Sequence, residues 1–140
     1  MSDFEIIIAI TTVIALIPAT WIPLHIFRAG RFNKVATSFT DTFRHELRDI
    51  YPLPVQWPKD IDQFLRSKFP VLQQAIDEFG EHLSRSEQRS MRAAWVAYYN
   101  DHGDERCQSY LHYRSFENNP NYKENFKHNV DKLLSFAKQK

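Results

Sequence analysis

From Ile6 to Phe27 the chain reads IIIAITTVIALIPATWIPLHIF, 22 residues without an Asp, Glu, Lys or Arg. As a helix rising 1.5 Å per residue, this run is roughly 33 Å long, enough to cross the hydrocarbon core of a bilayer. Twelve of its residues are Ile, Val, Leu or Phe. At roughly −0.3 to −0.6 kcal/mol each on the insertion scale, they supply about −4 to −7 kcal/mol before the polar members count against them. A helix that is apolar on every face needs lipid or a large protein around it, and the about 113 residues that follow are too few to enclose it. A cleaved signal peptide fits less well, because the chain starts with Asp3 and Glu5 instead of basic residues and has no small-x-small cleavage site. The expectation is a transmembrane helix over 6–27 after a short tail at 1–5. Pro18, Pro23 and His25 weaken its C-terminal third.

Arg28, Arg31 and Lys34 follow the run at once, while no Lys or Arg precedes it. The positive-inside rule then puts the N-terminus outside and residues 28–140 in the cytoplasm. Thr11, Ala15 and Ala19 form a small-xxx-small ridge through which two such helices could approach each other, as in a homodimer. The chain carries 18 Lys+Arg against 17 Asp+Glu, with the two signs interspersed, so bulk charge does not point to nucleic acid. Cys107 is the only cysteine, which excludes an intrachain disulfide. Three glycines leave few sites for tight hairpins and favour helix over an all-β fold.

Beyond Gly30 the pattern is helical. Phe32, Val35, Ala36, Phe39, Phe43, Leu47 and Ile50 step by three or four, predicting an amphipathic helix that ends before Pro52. Pro52, Pro54 and Pro58 make a stiff extended connector. Asp60 caps a short helix to about Lys68, which Pro70 stops while opening a second one to about Ser84. Ser84 and Glu87 have capping-box spacing and start a helix through Met91, Ala94, Trp95 and Tyr98 to about Asn100. His102-Gly103-Asp104 breaks it. A short helix is expected within Glu105–Phe116. Asn118-Asn119-Pro120 then caps a final helix carrying Tyr122, Phe126, Val130, Leu133, Leu134 and Ala137. The expected fold is all-α: a transmembrane helix followed by a small antiparallel bundle of four to six helices.

Chemical signatures are sparse. The six histidines are scattered without HExxH, paired cysteines or facial-triad spacing, so neither a metal nor a cofactor is expected. No P-loop, GxGxxG or GxSxG occurs, and no catalytic motif is found. The polar candidates are Glu78 with His82, one helical turn apart, and His102 with Asp104 in the acidic loop after the Trp95 helix. An exposed helical pair and an ordinary helix break are the commoner readings of them. Cys107 is expected to be a small buried residue, and the aromatics of Tyr110-Leu111-His112-Tyr113 to be core or interface rather than a base-stacking surface.

The N-terminal anchor, the Phe39–Phe43 helix face, the Phe69-Pro70 junction and the Met91-Arg-Ala-Ala-Trp95-Val-Ala-Tyr98 helix together resemble small bacterial single-pass membrane-anchored helical proteins. That resemblance implies a bacterial inner membrane and supplies no activity, so no functional residue carries over. The leading expectation is a membrane-tethered interaction module. Trp57, Trp95, Tyr98, Tyr99, Tyr110 and Tyr113 would present a contact patch to an unidentified protein partner. The alternatives are a ligand-binding protein or enzyme with a pocket in the bundle using His102, Asp104 or the Glu78/His82 pair, and a small membrane-active protein acting through its anchor.

Overall fold

The computed structural model describes residues 29–138. The helix expected over 6–27 and its Thr11, Ala15, Ala19 ridge fall outside the described residues. Among the described residues no helix is long and apolar enough to cross a membrane, and there are no strands.

Helix α1 (29–46) is already helical at Gly30. It buries Phe32, Ala36, Phe39 and Phe43, and Leu47 and Ile50 continue the same stripe through the turn that follows. The proline connector is packed only at its two ends. Tyr51 is buried and donates to Asp131 Oδ1 at 2.6 Å, while Trp57 meets Tyr122 and Phe126 edge-on at 5.5 and 5.7 Å. Between these anchors Leu53 and Val55 point into solvent.

Helix α2 (Ile61–Gly80) corrects the expectation of two short helices, because it runs unbroken through Pro70. Asp60 caps it by accepting from Gln63 N at 3.0 Å. Proline removes one N–H from the helical ladder, but Pro70 is exposed, so the freed carbonyl lies toward water. The buried stripe Ile61, Leu65, Leu72, Ile76 and Phe79 holds both halves on one core. Packing outweighs the local break.

The capping box forms as read. Ser84 Oγ accepts from Glu87 N at 3.2 Å and donates to Glu87 Oε1 at 3.0 Å, opening α3 (Arg85–Tyr99). Helix α4 (Tyr122–Leu134) continues as a 3-10 turn over Ser135–Ala137 and buries Phe126, Val130, Leu133 and Ala137. Its N-cap is Asn121, without a side-chain bond. Asn119, expected to cap it, instead donates to the carbonyls of His112 and Arg114 at 2.9 and 3.1 Å. Within Glu105–Phe116 only a 3-10 turn at Leu111–Tyr113 is helical.

α1 and α2 are antiparallel: Phe32 meets Phe79 at one end and Glu46 meets Lys68 at the other. α2 and α3 are antiparallel as well, with Gly80 beside Met91, Gln73 accepting from Trp95 Nε1 at 2.8 Å, and Phe69 against Tyr99. Trp95 is the hub, stacked on Phe69 and Tyr98 at 5.4 and 5.0 Å and touched edge-on by Phe43. Beyond it, Tyr98, Tyr110, Tyr113 and Phe126 form a continuous aromatic layer. This corrects the expected contact patch. Trp95, Tyr98, Tyr99, Tyr110 and Tyr113 are buried core, and Trp57 is half-buried. The α3 aromatics are inside because its buried residues Met91, Ala94, Trp95, Tyr98 and Tyr99 are enclosed by α1, α2, α4 and the 110–113 turn.

Candidate functional site

The most elaborate polar structure lies where α3 ends. Asn100 leaves the helix in extended geometry and is buried, at 2% exposure, the only buried polar side chain of the described core. Burying an amide is tolerable only if its polar atoms find partners, and all of those of Asn100 do. Its Oδ1 accepts from His102 N at 2.7 Å and Asp104 N at 3.1 Å, and its Nδ2 donates to Cys107 O at 3.0 Å and faces Cys107 Sγ at 3.3 Å. One side chain therefore substitutes for the backbone bonds that a loop of this shape lacks. Gly103 supplies the positive φ, +76°, that the turn requires. The loop is closed by a bridge in which Ser109 N donates to Tyr99 O at 2.8 Å and Asp101 N donates to Ser109 O at 3.1 Å.

Inside this frame Asp101, 15% exposed at its side chain, takes the Ser109 hydroxyl on Oδ1 at 2.7 Å and has His102 Nε2 3.3 Å from Oδ2. The order differs from that of a nucleophilic relay, which places the histidine between the other two. Here the carboxylate is in the middle, and the serine gives its proton to the aspartate's hydrogen bond. The arrangement ties the loop together and does not activate an oxygen. Asp104 accepts from Arg106 N and Nε at 3.0 Å each, which holds its carboxyl below the usual range. Cys107, expected to be buried, is exposed.

His112 borders the same region. Its Nε2 lies 3.0 Å from Ala97 O, which can only accept, so Nε2 carries the proton. Nδ1 is then a buried lone pair with no partner among the described residues, and the ring stacks on Tyr113 at 3.7 Å. Burial pushes the imidazole pKa below 6.5. The Tyr98 hydroxyl is likewise buried and unpartnered among the described residues, and burial raises its pKa well above 10.

Between α3 and this loop runs a groove of about 580 Å³. Ala93, Val96 and Ala97 form its floor, Arg89 and Arg92 one rim, Asp101 and Glu105 the other. Arg92 and Glu105 meet across it at 3.1 Å, both largely exposed. Apolar area bordered by charges of both signs suits recognition of a surface or small molecule.

The sequence-predicted polar residues do not converge. Glu78 is exposed on α2 and accepts from Gln74 Nε2 at 2.9 Å, while half-buried His82 sits in the α2–α3 turn. Both line a shallow groove between α1 and α2. His102 and Asp104 belong to the loop after α3, in neither residue's company. No cluster of three metal-ligating side chains exists among the described residues. The sequence reading missed Asn100 and the groove. Its only signal for Asn100 was an amide at a helix end, and burial there requires Ser109 to return, which no local pattern announces. No family model, curated protein or solved structure matches this chain.

Proposed function

We propose that the chain is a single-pass membrane protein whose helical domain sits on the cytoplasmic side and works by binding a protein partner. The observation that carries this reading is adjacency. α1 is helical from residue 29, and the 22-residue uncharged run ends at Phe27, so only Arg28 separates them. A domain joined so closely to a hydrophobic run is held at the surface of whatever that run enters. The loop chemistry also favours recognition over catalysis: its serine, histidine and carboxylates are spent on shaping the loop, and the groove offers apolar floor and mixed charge. That groove is the surface on which a partner is expected.

The test is a C-terminal reporter active only in the cytoplasm, and another active only outside it, fused to the full chain and to a chain starting at Arg28. Cytoplasmic signal in the membrane fraction that turns soluble on removing 1–27 is the expected result. Outside signal, or a full chain found in the soluble fraction, refutes the reading. A photocrosslinker at Ala93 of the membrane-bound chain should then give one discrete adduct that Val96→Arg abolishes. The second reading, a small-ligand receptor, is favoured by the same groove and predicts no adduct at Ala93.

A further inference from the structure

We infer that the partner of the groove along α3 is a second copy of this chain, joined to the first by a two-fold contact between like faces. The inference rests on the protein-binding reading proposed above and names the protein. The charges of the groove select it. Arg89 and Arg92 stand on the helix before the apolar floor, and Asp101 and Glu105 stand on the loop beyond it. These charges sum to zero and are separated along the groove, since α3 rises about 17 Å from Arg89 to Asn100. Between them Ala93 and Ala97 are exposed and Val96 is half-buried.

A partner of one sign is repelled at one end of such a groove. A second copy turned by 180° about an axis through the floor is attracted at both ends, because the rotation sets Arg89 and Arg92 of each copy beside Asp101 and Glu105 of the other. The charges are free to take these partners. Arg89 makes no ion pair among the described residues. The Arg92–Glu105 pair is 69% and 58% exposed at its side chains, so exchanging it for the same pair between copies costs little. Arg106 is held by Asp104 and does not cancel the loop's other carboxylates. Asp77 and Glu81 share a depression with Arg92 on its other side, but neither pairs with it and Arg89 does not border that depression.

The floor suits the same partner. Short side chains at a crossing let two helix axes approach to about 8 Å, and Ala93 and Ala97 supply them at the middle of the face. A dimer stable in free solution buries about 800 Å² per partner. A floor this small belongs to the weaker class, and confinement of both copies to one bilayer completes the association by mass action.

The test uses the full chain in vesicles, with a photocrosslinker at Ala93 of one copy and an affinity tag on another. The expected adduct contains both copies, at twice the mass of the chain. The same group at Asp41, on the outer face of α1, should give none. Arg92→Glu alone and Glu105→Arg alone should each lower the yield several-fold, since each sets like charges against each other twice in its own dimer. Mixing the two variants should restore it, because every reversed charge then meets its opposite on the other copy. Both sites are exposed, and near-UV circular dichroism confirms that each variant is folded. A mixture no better than either variant alone overturns the inference, as does equal adduct from Asp41, which would mean only that the anchors crowd the copies together. An adduct of another mass assigns the groove to a different protein, refuting the inference while the proposed function stands. No adduct at all refutes both.

Discussion

Removing the Asn100 side chain isolates what holds the α3 loop. In Asn100→Ala, the N–H groups of His102 and Asp104 and the carbonyl of Cys107 lose their side-chain partner. A net hydrogen bond contributes about 0.5–1.5 kcal/mol, and a buried group left unpaired costs about 1–3. Water can reach His102, which is exposed, but Asn100 itself is sealed. The sum is about 2–4 kcal/mol, or a fall in Tm of about 8–16 °C for a domain of this size. Asn100→Asp keeps both accepted bonds but sets a second acceptor oxygen against the Cys107 carbonyl in a buried site, so it should cost at least as much. Tm by near-UV circular dichroism in detergent measures the total. Hydrogen exchange over residues 99–110 shows whether the loss is local, with the Asp101 and Ser109 amides exchanging faster while those of α2 stay protected. A Tm within about 2 °C of the parent for Asn100→Ala, a change of about 0.5 kcal/mol, would refute the claim that this amide organises the loop.

Two other consequences are open to measurement. Pro70→Ala restores an N–H to the middle of α2 at an exposed site. It should stabilise the domain by about 2–2.5 kcal/mol, the helix-interior penalty of proline less the entropy it removes from the unfolded chain. A lower denaturation midpoint would show that the chain is in fact broken there. The His112 pKa is depressed by burial, so the unfolded state takes up a proton that the folded state resists. Its contribution to stability is complete above the unfolded value of 6.5 and is lost as pH falls below it toward the folded value. Tm should therefore drop between pH 7.5 and 5.5, and His112→Gln should flatten that drop. Asp104 and Asp131 do not confound it, because both are held below 3.8 and titrate at more acid pH. An unchanged slope in His112→Gln would assign the effect to another group.

Local rules made the helices legible. The Asp60 cap, the Ser84/Glu87 box and the stripes of α1, α3 and α4 are interactions between residues three or four apart, so the sequence alone contains both partners. The same rules misjudged Pro70. A local break weighs one lost hydrogen bond, while the continuous stripe from Ile61 to Phe79 is anchored to helices the local window does not include. Composition likewise identified the aromatics without saying whether they faced in or out. Trp95 is core because Phe43 and Phe69 arrive from two other helices.

The 6–27 run, its basic flank and the all-α character are set by the sequence itself, because hydrophobicity, charge order and helical period are properties of consecutive residues. Two things were decided only by tertiary structure. Asn100 is satisfied by groups up to seven residues away that must first turn back on it, and the groove exists only where that loop lies beside α3. Each joins residues that are distant or unpatterned in the chain. Their energies depend on distances that packing sets, and no period or spacing encodes those distances.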